Sequence, residues 1–209
     1  LGLSDDPAAW IVFRDHVSGL EFIRNAREIG ERGLFLELHA YECRVFLDFR
    51  EVRDDSRGHL ARLAGELRGG GVASIQEAVR GLRTRPIRTA FRDLLSPGFL
   101  GWLESSFDPS TASPLPDEAG RQVEDKARAL VRALNDETLP DTLSEKAAAG
   151  TIRRLFEAVL LLSAAPRPEA GPNEGLTEEL PDRLSLFGWA TLRALGPARI
   201  KSWGLDAEL

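Results

Sequence analysis

The 209-residue chain has no methionine, one cysteine, one tyrosine and only three lysines, Lys126, Lys146 and Lys201. Each scarcity closes off a class of protein. A single thiol, Cys43, cannot form an internal disulfide, so the core must hold the fold alone, which fits a reducing, cytoplasmic compartment. That the chain does not begin with methionine is expected of a segment of a longer polypeptide. Long hydrophobic runs are absent too. The longest, Leu155 to Ala165, contains Glu157 and falls short of the ~20 residues of a membrane span. Leu1 to Ala9 carries Asp5, Asp6 and Pro7 where a secretory leader would need a basic start and an apolar centre. There is no surplus of positive charge: the net charge of -6 argues against nucleic acid and anionic membranes as partners.

Catalytic constellations are equally scarce. His16, His39 and His59 fall on separate elements with no helical spacing between them, so no metal site is expected and they read as surface or turn histidines. Asp54–Asp55 and Glu178–Glu179 are adjacent pairs in loops and helix starts. They read as solvated charge, because general acid work needs one carboxyl in a dry pocket and a second ~5–10 Å away. The glycines Gly69 to Gly71 lack the following Gly-Lys-Ser/Thr of a phosphate loop and read as a helix stop. No catalytic residue and no cofactor are expected in this chain.

What is present divides near residue 57. Before it, period-two patterning predicts an antiparallel sheet. Trp10–Asp15 and Leu20–Arg24 are strands joined by a turn over His16–Gly19, with Gly19 available for positive φ. Leu34–His39 and Cys43–Phe49 form a hairpin through Ala40–Glu42. That register puts Leu34, Leu36, Leu38, Cys43, Val45, Leu47 and Phe49 on one inner face. Leaving its leucines exposed would be costly, at roughly 1.5–3 kcal/mol each, so they are expected to be buried within the chain or in a homodimer.

After residue 57 the period changes to 3.6. Helices are expected over His59–Leu67, Ser74–Leu82 (opened by a Ser74/Glu77 capping box), Pro86–Leu95, Pro97–Phe107, Asp117–Leu134, Leu143–Ser163 (with Ser144 as a cap) and Leu184–Leu195, with a short last one from Pro197. The fold class is α+β. The organisation expected is a β segment over 1–57, short helices packing on it over 58–107, a linker over 108–116 and a helical bundle over 117–209.

Two groups could bind ligands. Arg80, Arg83, Arg85, Arg88 and Arg92 form a basic run with no acid between the first four; Arg83, Arg85 and Arg88 are the candidates for holding an anion, against ordinary surface ion pairing. Trp102 and Trp203 are the candidates for stacking on a sugar face, while Trp10 and Trp189 read as core.

The run Leu34, Phe35, Leu36, Glu37, Leu38, His39, Ala40, Tyr41, Glu42, Cys43, Arg44, Val45, Phe46 resembles the closing strands of the β-sandwich that follows the barrel in α-amylase-family glycoside hydrolases. There a penultimate strand runs through a Pro-Tyr link into a strand ending in Val-Phe or Val-Leu. Tyr41, Val45 and Phe46 carry the match, and Ala40 stands where the proline would be. The resemblance covers about a quarter of the chain. It implies that the catalytic carboxylates belong to a barrel upstream of Leu1, that the chain itself is an inactive accessory part, and that its partners are that barrel and α-glucan. A helical protein-interaction module is the alternative.

Overall fold

The computed structural model describes residues 3–108, 110, 115–137, 142–164 and 183–196. The final helix expected from Pro197 and the Glu178–Glu179 pair lie outside them. The class is α+β: a three-stranded antiparallel sheet near the N-terminus is followed by helices. The chain gathers into two compact units, Leu1–Thr84 and Arg85–Leu209.

The first unit is built on β1 (Ala9–Asp15), the central strand, with β2 (Glu21–Asn25) and β3 (Phe46–Arg53) on either side. The β1–β2 turn is closed by Gly19, at φ 71°, and by the Asp15 carboxylate, which accepts from the Val17 amide, the Ser18 hydroxyl and Arg44. Alternation along β1 feeds two small cores. Val12, with Ile23, meets Leu63, Ile75 and Leu82 from the helices α2 (His59–Leu67) and α3 (Ile75–Leu94). Ala9, Ile11 and Phe13 face the other way, with Ala26, Phe22 and Phe46.

Between β2 and β3 the sequence reading is corrected. A helix, α1 (Ala26–Arg32), occupies part of the connection, capped by Asn25, whose side chain accepts from the Arg27 and Glu28 amides. Residues 34–39 form no strand, although Glu42 N donates to His39 O in a turn that carries Tyr41 at φ 65°. The expected inner face is open instead: Leu36 is 41% and Val45 42% exposed, Leu38 and Leu47 similarly so, and only Leu34 is half-buried. Cys43 is exposed rather than core. For Leu47 the physical reason is visible in β3. Val12 pairs with Arg50 and Arg14 with Leu47, so two residues of β3, Asp48 and Phe49, oppose Phe13 alone. Asp48 adopts φ 56° to make this bulge. The extra residue reverses every side chain on its N-terminal side, and a strict period of two reads the wrong face there. Phe46 and Phe49 consequently share a face and both pack on Phe13, at 5.1 Å between ring centroids.

The helices match expectation more closely. α2 ends where Arg68 and Gly69 take positive φ. α3 opens at Ser74, whose hydroxyl accepts from the Glu77 amide. It runs as one helix with Pro86 inside, where two helices were expected.

In the second unit α4 (Pro97–Ser105), α5 (Asp117–Glu137), α6 (Glu145–Ala164) and α7 (Arg183–Leu195) surround one large core. The stripe read from the sequence of α5, Val123, Ala127, Leu130, Val131 and Leu134, is fully buried. Ile152, Phe156, Val159 and Leu160 of α6 face it, and Phe156 meets Phe187 of α7 edge-on at 4.7 Å. Asn135 ties the α5–α6 connection with two bonds to the Leu143 backbone, and Ser144 caps α6 through the Ala147 amide. Trp189 is 58% exposed, so it is not the core residue expected. No helix among the described residues is long and apolar enough to cross a membrane.

Candidate functional site: an arginine-rimmed cleft on the first unit

The C-terminal half of β3, the start of α2 and one face of α3 enclose a cleft of about 450 Å³. Its floor is apolar: Val12, Val52, Leu60, Ile75 and Val79. Its rim is not. Gln76, Arg80 and Arg83 are spaced i, i+4, i+7 along α3 and so project from one side of that helix. Arg50 and Arg53 come from β3. Arg50 pairs with Val12 of β1, which puts both on the same side of the sheet.

Asp54, Asp55 and His59 also line the cleft, and both carboxylates are engaged by the start of α2. Asp54 accepts from the Leu60 and Ala61 amides at 2.8 and 2.9 Å, which satisfies donors of the first turn of α2. Asp55 accepts from the Arg57 and His59 amides and faces His59 Nδ1 at 2.5 Å. Partial burial of the Asp55 carboxyl works to raise its pKa, but the bonds from His59 and the two amides outweigh it and hold the group below its ordinary value. Asp54 and Asp55 are therefore not the idle solvated charge the sequence suggests. His59, expected at the surface, is only 2% exposed.

Glu21 sits beneath the same region and is buried. Its carboxylate accepts from the Ile75 amide at 2.8 Å, from Arg50 at 2.9 Å and from Arg14 at 3.2 Å. Burial pushes its pKa up; the amide and the two guanidiniums overcome this and leave it lowered. One carboxylate thus serves two arginines, and the local balance stays positive.

The other residues singled out from the sequence do not converge. Of the arginine candidates only Arg83 reaches this cleft. Arg85 lines a separate depression on the second unit with Lys126, and Arg88, half-buried, belongs to neither. Helical geometry scatters them, since Arg85, two positions beyond Arg83, points to the opposite side of α3, and Arg88, three beyond Arg85, falls on the side of Arg85. Arg50, Arg53 and Gln76 were missed, and the only signal for them lay in the tertiary pairing of β3. Trp102 is stacked against Phe99 at 5.8 Å and is partly exposed, while Trp203 lies outside the described residues. Among the described residues no group of three or more His, Cys, Asp or Glu is placed to hold a metal ion.

The chain matches no protein-family model, no curated protein and no solved structure.

Proposed function

We propose that this chain is a non-catalytic accessory part of a larger α-amylase-like glycoside hydrolase, in which an upstream barrel hydrolyses or transfers α-glucosidic bonds. The observation that supports the reading is a group of exposed apolar residues in the first unit. Phe35 is 84% exposed, and Leu36, Leu38, Tyr41, Val45, Leu47 and Phe49 are exposed with it. These residues include the stretch whose sequence resembles closing sandwich strands. An apolar surface of this kind is expected where a second layer packs, because sandwich halves bury their inner faces against each other. The chain then contributes packing, and the barrel contributes the chemistry.

The test has two arms. The codons upstream of Leu1 should encode eight alternating strand and helix patterns. The purified 209-residue chain should release no reducing sugar from starch, whereas a polypeptide that includes the upstream region should. Activity that co-elutes with the isolated chain would overturn the reading, and so would an upstream region without the repeating pattern. A helical interaction module is the second reading, favoured by Leu162, Leu184 and Trp189, which are exposed on α6 and α7.

A further inference from the structure

We infer that the cleft between β3, α2 and α3 is a binding site for a phosphate monoester carried on a compact apolar or aromatic body. The inference does not rest on the glycoside hydrolase reading. Three observations carry it. First, four guanidiniums, Arg50, Arg53, Arg80 and Arg83, line one cleft from two separate elements. Guanidinium is the side-chain group whose planar fork matches the oxygens of a phosphate two at a time.

Second, the carboxylates at the cleft have other donors to satisfy, although Glu21 and Asp6 do pair with the rim guanidiniums of Arg50 and Arg53. Asp54 and Asp55 are held by backbone amides and His59. Glu21 divides itself between Arg14 and Arg50 and is anchored to the Ile75 amide. Arg53 pairs with Asp6, and its side chain remains largely exposed. Arg80 makes no ion pair among the described residues, and it stands midway along the rim contributed by α3. A dianion entering here meets guanidiniums without displacing a carboxylate from Arg80.

Third, the floor is apolar. Val12, Val52, Leu60, Ile75 and Val79 offer no hydrogen bond to a polar ligand body, so a sugar phosphate would strand its hydroxyls there at a cost. An apolar or aromatic body instead adds burial to the charge pairing. The volume accommodates a ligand of about ten non-hydrogen atoms and falls within the usual range for small-molecule sites. Free inorganic phosphate shares the anionic group but cannot use the floor, so the two sources are separable.

The experiment titrates the full chain with phenyl phosphate and, separately, with inorganic phosphate, following backbone amide and arginine Nε–H resonances by NMR. Phenyl phosphate should shift Arg80, Arg83, Val52 and Ile75 and bind at least about tenfold more tightly than inorganic phosphate. The R80Q/R83Q variant should weaken phenyl phosphate by about tenfold or more, while R121Q, on α5, changes nothing. Both arginines of the double variant are exposed, so its amide spectrum should otherwise superimpose on that of the parent chain. The inference is overturned by absence of binding up to about 10 mM. It is equally overturned by affinities indifferent to R80Q/R83Q, which mark diffuse surface pairing, or by equal affinity for the two probes, which removes the apolar floor from the argument.

Discussion

Glu21 joins several elements of the first unit. Its side chain binds the amide that opens α3 and arginines on β1 and β3, while its backbone exchanges two hydrogen bonds with Val72. Glu21→Ala would leave the Ile75 amide buried without an acceptor, an expected loss of about 1–3 kcal/mol, read by urea unfolding of the first unit. Glu21→Gln should cost less, because the amide oxygen still accepts from Ile75. Protonation removes the same interactions. The carboxyls of Glu21 and Asp55 titrate below their ordinary values when folded, so the unfolded chain binds protons first. Their stabilisation is fully present above the ordinary carboxylate range near pH ~4, declines as the pH falls through it, and is gone below the lowered folded values. Amide exchange in β1 should accelerate over that interval, and the acid loss should shrink in Glu21→Gln. An acid profile identical in parent and variant would remove Glu21 from this role.

At the scale of elements, the bulge in β3 controls most of what the first unit presents. Asp48 holds φ 56° there, a conformation that aspartate tolerates and β-branched residues do not. Asp48→Val should cost about 1–2 kcal/mol, and Asp48→Gly should be tolerated within about 1 kcal/mol. Comparing the two by chemical denaturation separates backbone strain from loss of charge, since both variants remove the carboxylate. The helices needed no such device. Their stripes repeat every three or four residues, and no single residue changes the face, which is why α2, α5 and α6 are legible from spacing alone. Pro86 misled the reading of α3 because proline usually opens a helix; here its missing N–H falls inside one, where it leaves the Leu82 carbonyl without its usual partner.

At the scale of the whole molecule, the chain holds separate cores rather than one. Val12, Ile23, Leu63, Ile75 and Leu82 form a core of the first unit, and the much larger cluster around Leu130, Phe156 and Phe187 forms that of the second. Leu130→Ala should destabilise the second unit by about 2–5 kcal/mol through loss of burial and the cavity left behind. Hydrogen exchange in β1 is the comparison to make. If the units are energetically separate, β1 stays protected while α5 and α6 lose protection; parallel loss in both would show a single cooperative transition instead.

The sequence by itself determined the class, the places of β1 and β2, the turn at Gly19, and the inward stripes of α5 and α6. These are local facts, carried by period and by caps such as Ser74 and Ser144, and nothing distant can reverse them. Asn25, Glu28 and Gly33 stand at the cap, first turn and stop of α1, a helix that the reading of the sequence left out. The face of β3, the state of residues 34–39 and the site were decided only by tertiary structure. A strand's face depends on its register with a neighbour, and one added residue at Asp48 exchanges inside for outside without altering the composition of the strand. The run of arginines looked like a cluster in one dimension, yet a helix sends Arg85 and Arg88 away from the side of Arg83. The group that does assemble, Arg50, Arg53, Arg80 and Arg83, is drawn from segments up to thirty-three positions apart, and only the pairing of β3 with β1 and the docking of α3 on the sheet bring it together.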